Sequence, residues 1–180
     1  MGGSGTADVV VSFYRGDRPD AEGRFLAEIW AWDDEALEAV HDYIQWLFPL
    51  EEPSGVNPRA PLVSAAARAA FATDADLVAR LGRSFERMLA FYGLERAPAA
   101  DGGGIRPGPA FGVRRRVWLQ PFNHNFLRLT RILTSLRILG RSADALSLFR
   151  CLEALYRGSD GPVIGARTFG FWRRAAEGRS

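Results

Sequence analysis

The sequence contains no lysine, so arginine supplies all 23 of its basic side chains. With 21 acidic residues the formal net charge is +2, which is too small to indicate a nucleic-acid or membrane partner from charge alone. A basic set made only of arginine, together with abundant alanine, is typical of a GC-rich genome and predicts a bacterial origin. At 180 residues and 47% hydrophobic composition, the chain is long enough for one domain with its own core.

Cysteine and histidine are also scarce. The single cysteine, Cys151, excludes an internal disulfide and predicts a reducing, cytoplasmic location. It lies in an apolar helical pattern, which predicts a buried side chain rather than a reactive thiol. The histidines show no metal-ligand spacing, and no Gly-x-Ser-x-Gly nucleophile motif occurs. We therefore expect no metal, no cofactor and no catalytic residues, and hence a protein that is not an enzyme.

Long apolar runs are missing as well. No stretch approaches the roughly 18 to 20 consecutive apolar residues that span a bilayer, and no signal-peptide pattern is present. Residues 1–8 include a Gly-Gly-Ser-Gly run typical of linkers and are predicted to be a disordered leader, and 177–180 a tail. The stretch between them, 9–176, is predicted to form a single helical domain.

What the sequence does contain is helical periodicity. Apolar side chains recur at spacings of three and four along most of the chain, most clearly from Leu77 to Tyr92. This pattern predicts an all-α domain of six or seven helices. Two segments depart from it. Val9–Tyr14 is predicted to be a short extended N-terminal arm, and the Gly- and Pro-rich stretch 95–110 a flexible loop.

The densest apolar and aromatic run is HDYIQWLFPL, residues 41–50. We predict that it ends a helix over about 34–48, which Pro49 terminates, and that this aromatic-rich helix is the centre of the fold. His41 and Gln45 would lie on it one turn apart. Each has two interpretations: a buried side chain held by hydrogen bonds, or a group that faces a ligand.

Four blocks of the sequence resemble, in order and rough spacing, the conserved domain of the opioid growth factor receptor family. They are His41–Asn57 (HDYIQWLFPLEEPSGVN), Phe85–Leu94 (FERMLAFYGL), His124–Gly140 (HNFLRLTRILTSLRILG) and Leu146–Leu155, and the resemblance extends from about Phe13 to Trp172. It implies a receptor-like domain that recognises a short peptide or protein segment, since the animal receptors bind an enkephalin peptide. The family often has a histidine two residues before the one matched by His124. This sequence has Phe122 there, which weakens any His-x-His metal site.

Side chains in these blocks supply the candidate ligand-binding site. Aromatic rings would line a groove, and the unpaired amides of the helical turn at His124 would receive an anionic group. Arginines one and two turns later would bind a carboxylate, such as a peptide C-terminus, through a bidentate fork. Alternatively, these arginines pair with Asp42 or Glu38 and tie helices together. The predicted site comprises His41, Tyr43, Gln45, Trp46, Tyr92, His124, Asn125, Arg128 and Arg131.

Arginines are concentrated in segment 114–141, which indicates an alternative function as a nucleic-acid-binding helical domain. We favour a non-enzymatic peptide- or protein-binding module, because a basic helical surface of this density is more often simply solvated. An enzyme of unrecognised type is a third possibility that no constellation of residues supports. The arginines in question are Arg114, Arg115, Arg116, Arg128, Arg131, Arg137 and Arg141.

Overall fold

The structure is a computed structural model that describes residues 8–55 and 57–178, so most of the predicted leader and the end of the predicted tail lie outside it. The described residues form ten α-helices, one 3-10 helix (Ala99–Asp101) and one two-stranded sheet, which confirms the all-α class but exceeds the predicted six or seven helices. None of these helices is both long and apolar enough to cross a membrane. The elements are α1 (Val9–Arg15), α2 (Leu26–Ala31), α3 (Asp34–Ala39), α4 (Ile44–Leu47), α5 (Ala65–Thr73), α6 (Ala75–Tyr92), β1 (Leu94–Arg96), β2 (Ile105–Pro107), α7 (Phe111–Trp118), α8 (Asn125–Ile138), α9 (Ser142–Arg157) and α10 (Gly161–Glu177).

By their internal contacts the residues form two compact units, unit 1 (Met1–Leu81) and unit 2 (Gly82–Ser180). Helices α1 to α5 lie in unit 1, the β-strands and α7 to α10 lie in unit 2, and α6 begins in the first unit and continues into the second. Each unit contains fully buried aromatic side chains, such as Tyr14 in unit 1 and Trp172 in unit 2.

The extended arm predicted for Val9–Tyr14 is wrong, because this segment is helix α1. Asp8 caps the helix: its carboxylate accepts hydrogen bonds from the first-turn amides, at 2.9 and 3.2 Å. Phe13 and Tyr14 are completely buried. Burial of five consecutive residues, Val10 to Tyr14, on nearly all sides of the helix therefore overrides the β-branched composition that indicated a strand.

The long aromatic helix predicted over about 34–48 is also wrong. It is two short helices, α3 and α4, separated by residues 40–43. Val40 is extended (φ −90°, ψ 133°), a conformation that suits a β-branched residue. The Tyr43 hydroxyl donates to the Leu37 carbonyl at 3.0 Å and satisfies an acceptor near the end of α3. A tertiary hydrogen bond thus stabilises the break.

The aromatic run nevertheless lies in the core of unit 1, as predicted. Ile44, Leu47 and Phe48 are each at most 4% exposed. The Tyr14 hydroxyl donates to the Leu47 carbonyl, so α1 is fixed to the end of α4 by a buried hydrogen bond.

A buried carboxylate organises the turn before α2. One oxygen of Asp20 accepts from the backbone amides of Glu22 and Arg24, both at 2.9 Å, and the other accepts from Arg24 Nε at 2.6 Å. Arg24 Nη1 also donates to Asp42 at 3.0 Å. These bonds favour a turn, and helix α2 begins only after it, at Leu26.

The Arg24–Asp42 pair is expected to make unit 1 sensitive to acid. Burial alone would raise the pKa of Asp42, but the hydrogen bond and charge of Arg24 outweigh it and lower that pKa. The stabilisation is therefore complete above the unfolded pKa of about 4 and is lost as pH falls through the folded pKa. In urea titrations at decreasing pH, we expect the unfolding free energy to fall more steeply below about pH 4 for the wild type than for Asp42→Asn. Equal slopes would contradict this role.

The irregular loop predicted over 95–110 contains an antiparallel hairpin in unit 2. Strands β1 and β2 pair Leu94 with Pro107 and Arg96 with Ile105, so regular structure replaces part of the predicted loop. Gly93 turns the chain out of α6 with φ +74°, and a Cβ there would lie 2.7 Å from the Phe111 Cα. Only glycine fits this position without displacing backbone. The flexibility of the remaining loop stays a prediction.

Helices α8, α9 and α10 pack against one another in unit 2. Two fully buried indoles connect its elements: Trp118 Nε1 donates to the Tyr92 carbonyl, and Trp172 Nε1 to the Phe126 carbonyl, each at 3.1 Å. Helix α10 is kinked at Gly165, whose φ of +74° and ψ of 150° are not helical. The segment of α10 after this kink carries Trp172.

Cys151 is buried in α9, as predicted, and burial raises the pKa of its thiol to about 11. Relative to an ordinary thiol of pKa about 8.5, its thiolate population near neutral pH is reduced more than about 100-fold. We expect an aromatic disulfide reagent to label the folded chain at least about 100-fold more slowly than the urea-unfolded chain. Similar labelling rates in the two states would show that the thiol is accessible.

Candidate functional site

The candidate residues of unit 1 lie at or next to α4, and His41 is the exposed one among them. His41 lies in the turn before α4, so its predicted position on one helix with Gln45 is wrong. Tyr43 is fully buried and packs edge-to-face on Trp32, with ring centroids 5.5 Å apart. Trp46 is buried against Phe13 at 5.2 Å. These rings belong to the core of unit 1 and do not line a surface groove in this structure.

Gln45 is buried and ties α4 to the loop that follows it. Its Nε2 donates to Ser54 Oγ at 3.2 Å, and its Oε1 accepts from Asn57 Nδ2 at 2.6 Å. The protein itself thus satisfies both ends of the amide. In the structure Gln45 is therefore a buried side chain held by hydrogen bonds, the first of the two interpretations given for it.

In unit 2, Tyr92, Asn125 and Arg128 form a buried polar chain. The Tyr92 hydroxyl donates to Asn125 Oδ1 at 3.5 Å, and Arg128 Nη1 donates to the same oxygen at 3.4 Å. All three residues are at most 5% exposed. The Tyr92–Asn125 hydrogen bond therefore joins α6 to α8, while Arg128 is buried within α8 and is not exposed to bind a carboxylate beside His124.

The first turn of α8 is already capped by the protein. Asn123 accepts from two backbone amides of this turn: its side-chain oxygen accepts from the Asn125 amide at 2.9 Å, and its carbonyl accepts from the Phe126 amide at 3.1 Å. The His124 carbonyl accepts from the Leu127 amide at 3.1 Å. These bonds occupy the amides that were predicted to receive an anionic ligand, so that part of the prediction is wrong.

Most arginines of segment 114–141 are engaged within unit 2. Arg114 Nε donates to the Phe91 carbonyl at 2.7 Å, and partial burial lowers the pKa of Arg131. This described segment therefore lacks the continuous, freely exposed row of arginines that nucleic-acid binding requires. Ion pairs or hydrogen bonds likewise hold Arg115 to Asp160, Arg128 to Asn125, Arg137 to the Ala175 carbonyl and Arg141 to Asp144.

An open cavity of about 310 Å³ lies in unit 2, between the start of α8 and α10. This volume is at the lower end of the range of about 300 to 1,000 Å³ found for ligand pockets. Its walls are mainly aromatic and aliphatic, with a few polar groups at the edges. We call it the Phe122 pocket, and its lining residues are Phe122, Asn123, His124, Phe126, Leu127, Arg167, Thr168 and Phe171.

Exposed apolar side chains are concentrated at the Phe122 pocket. Phe122 is fully exposed, Leu127 is 72% exposed and Phe171 is 39% exposed. Single exposed apolar residues are common on protein surfaces, but a cluster with polar groups around it marks an interaction site. Residues 8–55 and 57–178 leave this cluster uncovered.

Phe122 also has an unusual backbone conformation. Its φ is +60°, and in the part of the chain that the structure describes it is the only non-glycine residue with positive φ. The left-handed region costs an L-residue roughly 1 to 2 kcal/mol. Because the ring is fully exposed, packing within the chain does not offset this cost.

The charged groups at the Phe122 pocket are basic. Arg167 lines the pocket, and its Cζ lies 5.7 Å from the Phe171 ring centroid. Arg174 Cζ lies 5.0 Å from the same centroid. Among residues 8–55 and 57–178, neither guanidinium is paired with a carboxylate, and the lining of the pocket contains no acidic residue. The pocket thus combines apolar walls with a positive edge.

Of the residues predicted for the site, His124 lines the Phe122 pocket. The other lining residues were missed because no weight was given to apolar residues off the buried stripe of their helix: Leu127 is followed at helical spacing by the polar Thr130, Arg131 and Thr134. Phe122 offered one signal, since it lies between Pro121 and the capping residue Asn123, outside any apolar stripe.

In the described chain, histidine, cysteine and acidic side chains do not come together in a group of three or more that could hold a metal.

Comparison with known proteins identifies relatives for most of the chain. A family model described as the opioid growth factor receptor conserved region matches residues 10–159. The human opioid growth factor receptor is 40% identical over 135 residues, which are 72% of this chain and 19% of that protein. The mouse receptor is 39% identical over 135 residues (72% and 21%), and opioid growth factor receptor-like protein 1 of Xenopus tropicalis is 38% identical over 111 residues (62% and 21%). No solved structure matches the chain.

Proposed function

The chain belongs to the opioid growth factor receptor family, and on that basis we propose that it is a non-enzymatic binding module that recognises a short peptide or protein segment. Its curated relatives are named as receptors, which supports a ligand or protein partner. The chain spans only about a fifth of the length of these relatives, so what the whole proteins do is carried over here as a proposal.

We place the binding site at the Phe122 pocket because the exposed side chains of Phe122, Leu127 and Phe171 surround this one open pocket. Burying a large apolar side chain contributes about 1.5 to 3 kcal/mol, and a partner side chain placed here would gain that amount while covering the patch. A pocket of about 310 Å³ suits one or two anchoring side chains of an extended or helical segment.

The residues predicted from the sequence divide into two groups in this proposal. His124 is at the pocket and is assigned a direct contact with the ligand. The Tyr92–Asn125 hydrogen bond positions α8 relative to α6, and the buried Tyr92, Asn125 and Arg128 support the pocket without touching the ligand. The buried candidates of unit 1, Tyr43, Gln45 and Trp46, support the core of that unit.

Nucleic-acid binding is not retained as a second function. It would require exposed arginines along 114–141, and most of these are engaged in hydrogen bonds or ion pairs with other residues of unit 2. A cytoplasmic location remains part of the proposal, since a single buried cysteine suits a reducing compartment. Fractionation of source cells would test the location.

The test of the proposed function is selection of a random peptide library on the full chain, with Phe171→Ala as the matched variant. We expect enrichment of peptides whose affinity falls at least about tenfold, or about 1.4 kcal/mol, on Phe171→Ala. Val113→Ala, an exposed apolar residue outside the pocket, should leave affinity unchanged. Absence of enriched peptides, or equal loss in both variants, would contradict the proposal.

A further inference from the structure

Phe122 makes no stabilising contribution to the fold that would explain a phenylalanine at its position. Its ring is fully exposed and its backbone is in the left-handed region, where glycine or asparagine is ordinarily found. Backbone strain of this kind clusters at binding sites, where another molecule uses the side chain that the strained residue presents. The ring stands at the edge of the pocket, where it can close over a side chain inserted there.

The charges at the pocket indicate what surrounds that inserted side chain. Arg167 and Arg174 approach Phe171 and are not paired with a carboxylate of the described chain. Arg167 is exposed, and no acidic residue lines the pocket. A partner with carboxylates beside its apolar anchor would therefore be complementary in charge, whereas a basic partner would be repelled.

Resting on the proposed function, we propose that the Phe122 pocket binds an acidic segment of a partner protein. One aromatic or leucine side chain of that segment enters the cavity under the Phe122 ring. Carboxylates next to this anchor pair with Arg167 and Arg174. The apolar walls supply most of the affinity, and the two arginines select the acidic sequence.

Two other occupants fit the observations less well. A second copy of this chain would bring the arginines of two identical patches together, and like charges at an interface oppose association. Single-stranded nucleic acid could stack a base on Phe122. Yet its phosphates need a basic track, and the arginines of 114–141 are mostly engaged within unit 2.

The charge part of the inference is tested by repeating the peptide-library selection on two forms of the full chain. On the wild type we expect enriched peptides to carry aspartate or glutamate next to an aromatic residue or leucine. On the double variant Arg167→Glu, Arg174→Glu we expect lysine or arginine at those places, with the same anchor. Enrichment of the same flanking residues by both forms would overturn the inference.

The anchor part is tested with Phe122→Gly. Because glycine accepts positive φ without strain, we expect the melting temperature to stay the same or to rise by about 2 to 4 °C. Affinity for an acidic peptide selected on the wild type should fall at least about tenfold. A fall in melting temperature with affinity retained would show that Phe122 is structural and would overturn the inference.

The outcomes separate the inference from the proposed function. Pocket-dependent enrichment of neutral or basic peptides would overturn the acidic partner and leave peptide recognition standing, while no enrichment at all would remove both. Displacement of a bound acidic peptide by oligothymidylate would assign the pocket to single-stranded nucleic acid. A wild-type dimer that becomes monomeric in Phe122→Gly would assign it to a second copy. Each of the last two results would overturn the inference.

Discussion

Replacing Trp172 by alanine is expected to lower the unfolding free energy of unit 2 by about 3 to 5 kcal/mol. The indole is completely buried, so its removal leaves a cavity and loses its apolar burial. It also removes the hydrogen bond to the Phe126 carbonyl and the edge-to-face contact with the Phe126 ring, whose centroid lies 5.5 Å away. Because Phe126 lines the Phe122 pocket, peptide affinity should fall as well. Urea unfolding followed by circular dichroism measures the first effect.

Phe171, the neighbouring residue on α10, is the matched control. Its ring is 39% exposed and lines the pocket, so Phe171→Ala should cost less than about 1 kcal/mol of stability while weakening peptide binding. Trp172→Phe keeps most of the volume but loses the indole donor, and we expect an intermediate cost of about 1 to 3 kcal/mol. Equal destabilisation by Phe171→Ala and Trp172→Ala would contradict the assignment of these two rings to surface and core.

Replacing Asp20 by alanine is expected to destabilise unit 1 by about 3 kcal/mol. The Asp20 side chain is completely buried and accepts from two backbone amides and from Arg24 Nε. Removing it leaves these donors without an acceptor and leaves the partly buried guanidinium with a single carboxylate. Arg24 Nη2 is already buried without a hydrogen-bond partner, so further loss would be costly.

Asp42→Ala serves as the comparison, since Asp42 binds the same guanidinium from a more exposed position. Its side chain is 34% exposed, and we expect a cost of less than about 1 kcal/mol, as for surface ion pairs. Both variants can be compared at neutral pH by urea unfolding. If Asp42→Ala lowered the unfolding free energy as much as Asp20→Ala, burial of the Asp20 carboxylate would not explain its contribution to stability.

Helices with clear caps and long amphipathic stripes could be predicted from the sequence. Helix α6 begins after Asp74, whose carboxylate accepts from the Leu77 amide, and α5 begins after Ser64, whose hydroxyl accepts from the Ala67 amide. The segment 34–48 could not be predicted in this way. Its break depends on the hydrogen bond from Tyr43 to the Leu37 carbonyl, a tertiary contact that periodicity does not contain.

The site was predicted less completely than the fold, for a related reason. Arginine and histidine residues were predicted to bind a ligand because of their chemistry. Whether such a side chain can face a ligand depends on its burial, however, and Arg128 is only 5% exposed. Conversely, Phe171 resembles the core residue of a helix in sequence and is exposed in the structure. Exposure of an apolar residue results from how the helices pack, so a pattern read along one helix cannot reveal it.

Peptide binding at the Phe122 pocket is tested most directly by nuclear magnetic resonance. The backbone amide shifts of the full chain would be followed during titration with a peptide enriched in the library selection. We expect the largest shift changes in residues 122–127 and 167–171, with little change at His41 or Trp46. Largest changes in 41–46, or along the arginines of 114–118, would contradict binding at this pocket.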